Sequence, residues 1–206
     1  MKVLLINGSP HENGCTAAAL TEVSRILTNH GVETEIIWLG TKPISGCLGC
    51  RACAKLGKCV IEDCVNVFLE KAKLADGFIF GSPVHYAAAS GSITSFMDRA
   101  FYGKSNIFCG KPAAAVVCAR RAGTTAALDQ LNKYFPIAGM PQVPSQYWNM
   151  VHGVSPEDIT HDEEGMQTLR SLANNMVWLL KCIDAGKQAG CTFPEREPQI
   201  RTNFVR

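Results

Sequence analysis

The sequence predicts an α/β fold, a doubly wound parallel sheet with helices on both faces. Three observations predict it. Short, wholly apolar runs, Val3-Leu4-Leu5-Ile6 foremost, read as strands covered on both sides. Longer stretches between them carry apolar residues at helical spacing. Gly-bearing turns punctuate the alternation.

Taken in order, residues 3–6 form the first strand, and Thr16 to His30 the first helix. Ala17, Leu20, Val23, Ile26 and Leu27 line one side of that helix, and Gly31 ends it. Glu33 to Leu39 alternates enough for a second strand. Pro43 to Cys64 is irregular and rich in cysteine. Val67 to Leu74 resumes a helix, stopped at Asp76-Gly77. Phe78-Ile79-Phe80 is a third strand, closed by Gly81-Ser82-Pro83. Ile93, Phe96, Met97, Ala100 and Phe101 fall at helical spacing. Ala113 to Cys118 is a fourth strand, and Leu128, Leu131 and Phe135 mark another helix. Met140 to Pro144 has room for a short fifth strand. A final helix starts at Ser155-Pro156-Glu157-Asp158, with Ser as cap and Pro in the first turn, and continues through Leu169, Leu172, Ala173, Met176, Leu180 and Ile183. Five strands fit the flavodoxin-like order, in which ligands bind at the carboxyl ends near the switch point. One domain over 1–188, with the cysteine-rich loop at 43–64, and a C-terminal arm over 189–206 follow. The arm holds Pro194, Pro198 and three arginines, and is expected on the surface or on a partner subunit.

The 206 residues suffice for one substantial core. A net charge of +2 without a Lys/Arg-rich block argues against a nucleic-acid surface. No stretch approaches membrane-spanning length, and the first apolar run is too short for a signal peptide, so a cytoplasmic protein is expected. Six of the ten cysteines are scattered, and the chain is too long for a small disulfide scaffold. Clustered cysteines in a reducing cytoplasm read as ligands or redox groups.

Four places carry chemistry. The turn Gly8-Ser9-Pro10-His11-Glu12-Asn13-Gly14-Cys15-Thr16 joins a strand to a helix, where a phosphate collects backbone N–H groups and the positive end of the helix dipole. Ser9, Asn13 and Thr16 add side-chain donors. The turn matches neither the dinucleotide nor the ATP glycine pattern. The second place, Gly81-Ser82-Pro83-Val84-His85-Tyr86, offers a stiff edge at Pro83 and Val84, a ring able to stack and an imidazole able to carry a proton, although a half-exposed turn histidine has the same sequence. The third, Arg120-Arg121-Ala122-Gly123-Thr124, opens a helix with two cations. The helix dipole disfavours them there, which points to an anionic ligand or to solvated surface residues. The fourth is Cys47, Cys50, Cys53 and Cys59, spaced x2, x2, x5. Zinc takes four thiolates, though more typically from two C-x2-C pairs, and free thiols or disulfides remain open. Leu56-Gly57-Lys58 gives Cys59 a way to fold apart from the other three. Trp148, in Gln146-Tyr147-Trp148-Asn149, suits either a cover for a bound ring or a core position.

With GSPHENGCT, SPVHY and RRAGTTAALDQL in place, residues 1 to 140 resemble the NADPH-dependent FMN reductase superfamily of flavodoxin-like proteins. The cysteine run followed by VIED resembles its iron–sulfur flavoprotein branch in particular. The resemblance implies FMN, with its phosphate on Ser9, Pro10, His11, Asn13, Gly14, Cys15 and Thr16, its ring against Pro83, Val84, His85 and Tyr86, and Arg120, Arg121, Ala122, Gly123 and Thr124 flanking. It implies a 4Fe-4S cluster on the four cysteines. Some positions depart from the family's pattern: Cys15 replaces a usual Asn, His11 a common Arg or Lys, Cys64 a frequent Asp, and His85 and Tyr86 stand where Tyr or Phe is usual. The implied activity is NAD(P)H oxidoreduction, in which NADPH or NADH reduces FMN and electrons pass to a quinone, an azo or nitro compound, a flavin or an iron–sulfur acceptor. His85 and Tyr86 are the candidate catalytic residues. The alternative is a non-enzymatic electron carrier exchanging electrons with a ferredoxin-like partner. The family also implies a homodimer or homotetramer.

Overall fold

In a computed structural model, residues 1–195, 197, 198, 200 and 202 are described, without the side chains of residues 104 and 105. Five parallel strands run in the order β2-β1-β3-β5-β6: β1 (Lys2–Asn7), β2 (Glu33–Trp38), β3 (Gly77–His85), β5 (Ala113–Ala119) and β6 (Met150–His152). A two-residue strand, β4 (Ala88–Ala89), folds back antiparallel on the end of β3. This is the expected flavodoxin-like architecture, and its switch point lies where β1 and β3 part toward opposite edges.

Strand side chains alternate between two cores. Leu4, Ile6, Phe78, Phe80, Ala115 and Val117 face α3 (Cys64–Leu74), α4 (Gly91–Lys104), α5 (Thr124–Asn132) and α6 (Tyr134–Ala138). Phe68, Phe78, Phe80, Phe96, Phe101, Phe108 and Phe135 form a linked aromatic network there, with centroids 4.6 to 6.5 Å apart. Val3, Leu5, Ile79, Ala114 and Val116 face the other way, onto α1 (Cys15–Asn29), α7 (Pro156–His161) and α8 (Glu163–Gln188). Ala19, Leu20, Val23 and Leu27 put α1 against that face, at the spacing of one helical stripe.

Three elements differ from the sequence reading. The segment at 140–144 makes only an isolated bridge, Gln142 with Ala113, and the fifth strand is completed at Met150–His152 beside Val117–Ala119. Pro141 and Pro144 flank the Gln142-Val143 pair and cannot donate to a ladder, so pairing resumes only after the excursion. β3 runs on through Pro83 to His85 instead of closing at Gly81. The final helix is two. Ser155 caps α7 in a reciprocal box with Asp158, and Asp162 caps α8 by accepting the Gly165 amide at 2.9 Å. Of the arm, Phe193 lies against Gly110. Its arginines, 196, 201 and 206, fall outside the described residues. Among those described, no helix is long and apolar enough to cross a membrane.

Candidate functional site

The turn after β1 is organised by Asn7, fully buried at the strand's end. Its Oδ1 accepts the Ser9 amide at 3.0 Å, and its Nδ2 donates to the Glu12 carbonyl at 3.2 Å. Ser9 Oγ accepts the His11 amide at 3.1 Å, and Trp38 donates from Nε1 to the Ser9 carbonyl at 2.9 Å. The turn is thus held from inside and from β2, while its outward donors stay open. No side chain caps α1 at Gly14, and no acid lies in its first turn. The amides of Gly14, Cys15, Thr16 and Ala17 meet no acceptor among the described residues. Thr16 Oγ1 is buried beside the Cys118 thiol, on the core side of the helix. Unsatisfied donors at a positive helix end are what an anion requires. Burial holds the neighbouring Cys15 thiol above its ordinary range.

The second segment locks onto the first. The Gly8 amide donates to the Gly81 carbonyl at 2.9 Å. Ser90 donates from Oγ to the Gly8 carbonyl at 2.7 Å, and its amide donates to Ser82 Oγ at 2.9 Å. From His85 the chain turns through Tyr86 and Ala87, at φ 50° and 60°, into β4. A two-residue hairpin turn with both φ positive suits Asn-Gly best, so Tyr86 and Ala87 each hold it at a cost of about 1–2 kcal/mol. His85 and Tyr86 are exposed at its tip, and neither side chain has a hydrogen-bond partner among the described residues.

The third segment packs against that hairpin. Gly123 takes φ 90°, and a methyl placed on it would lie 2.8 Å from the Ala87 Cα and 3.1 Å from Val84 Cγ1. Arg120 and Arg121 project from the loop, exposed and without a carboxylate partner among the described residues. All three segments named from sequence therefore meet at the carboxyl edge of β1, β3 and β5. Asn7, Trp38 and Ser90, which brace the first two together with Ser82 of the second segment, were missed. The available signal was polar residues ending strands or opening helices next to apolar runs. Trp148 precedes β6 and is 56% exposed, its ring 4.9 Å from that of Tyr147, so it has no core role.

A second site lies at the far end of α4. Cys47, Cys50, Cys53 and Cys59 line one pocket, together with Arg99, Tyr102 and Gly103 of that helix. Cys53 opens the short helix α2 (Cys53–Leu56), which Gly57 ends at φ 74°. That left-handed turn swings the chain back, so Cys59 joins the other three instead of folding away. Asn66 then fixes it, accepting the Cys59 amide at 2.9 Å and donating to its carbonyl at 3.0 Å.

Arg99 is fully buried beside this pocket. Burial opposes its charge, but the Asp63 carboxylate and then the Cys59 sulfur more than offset that, so its pKa rises. The donors present fit an iron–sulfur group or zinc: four thiols, with no carboxylate in the pocket lining. As they stand, no three His, Cys, Asp or Glu side chains among the described residues converge closely enough to hold a metal ion. Cys64 begins α3 outside the pocket lining, its thiol raised chiefly by burial.

Comparison with known proteins agrees with this geometry. Residues 1–155 match the family model for NADPH-dependent FMN reductase. An iron–sulfur flavoprotein of Methanocaldococcus jannaschii is 33% identical over 194 residues, covering 89% of this chain and 99% of the relative. An iron–sulfur flavoprotein of Methanosarcina thermophila is 24% identical over 191 residues, covering 91% and 99%. Among solved structures, RosB with a bound 8-demethyl-8-formylriboflavin-5'-phosphate intermediate superposes with a TM-score of 0.71 at 15% identity, covering 100% of this chain and 92% of that one. The NAD(P)H:acceptor oxidoreductase FerB from Paracoccus denitrificans gives 0.66 at 17% identity, covering 88% and 97%. At such identities the structural likeness speaks for the fold.

Proposed function

Because this chain belongs to the NADPH-dependent FMN reductase family, and within it to the iron–sulfur flavoproteins, we propose that it is an FMN-dependent oxidoreductase that takes electrons from NADPH or NADH. The observation that carries this reading is the open set of amides from Gly14 to Ala17 at the uncapped start of α1. Those groups, with Ser9, Pro10, His11 and Asn13, would hold the phosphate. Pro83, Val84, His85 and Tyr86 would edge the ring, and Arg120 to Thr124 would flank it. FMN bound there supplies hydride acceptance and the return of electrons singly or in pairs. The chain's own part is binding and orientation. Arg120 and Arg121 place positive charge at the loop where an anionic cofactor or nicotinamide phosphate would lie. His85 and Tyr86, unpartnered at the hairpin tip, would handle the accompanying proton.

Cys47, Cys50, Cys53 and Cys59 would hold a 4Fe-4S cluster, an arrangement supported by their shared pocket and by the names of the relatives. Such a group would let electrons leave one at a time, to a quinone, an azo or nitro compound, a flavin or an iron–sulfur protein. The protein would act in the cytoplasm as a homodimer or homotetramer, with its C-terminal arm on its own surface or on the neighbouring subunit. The cysteine pocket also favours a second reading, an electron carrier that exchanges electrons with a ferredoxin-like protein without using nicotinamide. Anaerobically purified protein should show flavin absorbance, with iron and FMN both bound, and should oxidise NADPH or NADH steadily with a quinone acceptor. Bound FMN without nicotinamide turnover would select the carrier. A colourless protein that cannot be reconstituted would refute both.

A further inference from the structure

Arg99 has five N–H groups, and each of them has an acceptor. Its Nε donates to Cys59 Sγ at 3.4 Å. One terminal nitrogen donates to Asp63 Oδ2 at 2.5 Å and to the Ser45 carbonyl at 3.5 Å. The other donates to Asp63 Oδ1 at 2.8 Å and to the Ile61 carbonyl at 2.9 Å. The acceptors run from residue 45 to residue 63, the two ends of the loop that carries the four thiols. Asp63 is committed twice, since its Oδ1 also accepts the Val65 amide at 3.0 Å and caps α3.

We propose that Arg99 is the positioning residue of the cysteine pocket: its buried guanidinium clasps both ends of the loop and fixes the Cys59 sulfur on the face of α4. A buried ion pair is a poor device for stability alone, because apolar residues of similar volume often do as well. A planar fork with every donor used instead sets geometry. A lysine has neither the donor number nor the flat shape to reach the same partners. One turn beyond, Gly103 packs against Cys53: a methyl on Gly103 would sit in ordinary contact, 3.4 Å from Cys53 Cβ. At the head of the same helix Ser90 holds the Gly8 carbonyl, nine residues or about 13 Å before Arg99 along the axis. One rigid helix thus sets the spacing between the nucleotide turn and the thiols.

The clasp is a property of the chain itself, while its effect on a bound centre rests on the proposed cluster. Arg99→Lys and Arg99→Met in the full chain separate the two. Both variants should keep FMN at the wild-type ratio, because Arg99 touches none of the nucleotide loops. In metal-free protein, limited proteolysis within residues 45–63 should speed up, most in R99M. In iron-loaded protein, a chelator should remove iron about 10-fold faster or more from R99M, the range seen when a residue supporting a metal ligand is lost. The midpoint potential of any iron signal should fall in R99M, with R99K between, because a donor to a ligating sulfur raises it. Wild-type rates of proteolysis and iron loss, with an unmoved potential, would overturn the proposal. A wild-type chain that binds no iron would remove the cluster reading alone, and the clasp would then stand or fall on the proteolysis of R99K, the milder change.

Discussion

The Ser90 hydroxyl joins α4 to the turn after β1: it donates to the Gly8 carbonyl at 2.7 Å and accepts the Ile93 amide at 3.4 Å. Ser90 is 3% exposed, so water cannot replace it at either partner. Ser90→Ala should cost about 2 kcal/mol, from one lost amide acceptor and one buried carbonyl left unpaired. The loss should appear as a lower urea midpoint at unchanged slope. FMN retention should weaken with it, because Gly8 begins the turn. A variant equal to wild type in both would show that the Ser90 bond carries nothing.

Gly123→Ala tests the contact between the arginine loop and the hairpin. The added methyl meets the Ala87 backbone at 2.8 Å, and φ 90° is unfavourable for alanine whatever the space. The variant should lose about 1–3 kcal/mol and bind FMN less tightly. Thermal melts with and without added FMN read both effects. A free chain of normal stability would mean that the loop can shift at no cost.

Ala87→Gly should act in the opposite direction on stability. Ala87 sits at φ 60° in a turn that favours glycine at this place. Relief of that strain should raise the unfolding free energy by about 1 kcal/mol. The strain is retained beside the exposed Tyr86, so the stabilised variant should show slower turnover or weaker flavin retention. A rise in stability with wild-type turnover would detach the strain from function.

The sheet was legible because apolar runs such as residues 3–6 and 113–118 are short, bounded by turn residues and alternate with helical periodicity, which together favour strands covered on both faces. The fifth strand was not, because its two halves pair with opposite ends of β5 across an intervening loop. Nor was the break at Asp162, although the polar run from Thr160 to Gly165 interrupts the apolar stripe and Asp162 with Glu163 and Glu164 is the composition of a helix start. In the site, loops at strand ends announced themselves through Gly, Pro and polar residues. Their braces did not: Trp38 reaches Ser9 across 29 positions and Ser90 reaches Gly8 across 82. Arg99 is the extreme case. It lies in an apolar-periodic helix, and its partners at Ser45, Cys59, Ile61 and Asp63 are distant in sequence. The fate of Cys59 depended on the left-handed turn at Gly57 and on the grip of Asn66, and neither shows in the cysteine spacing.

Glu22 offers a test in pH. On α1 it accepts two hydrogen bonds from Arg25 at 2.8 Å and faces Arg170 of α8 at 3.7 Å, with its side chain only 11% exposed. The Arg25 bonds lead in holding its carboxyl below the ordinary value of 4.5. A carboxyl whose pKa is lower folded than unfolded stabilises the native state above the unfolded value, and that contribution fades as pH falls through the folded one. Glu22→Gln should therefore be less stable than wild type at neutral pH, and the gap should close as the pH drops below about 4. Urea midpoints of both proteins across that range give the answer. A gap that stayed constant down to about pH 3 would mean that Glu22 stabilises by packing rather than by charge.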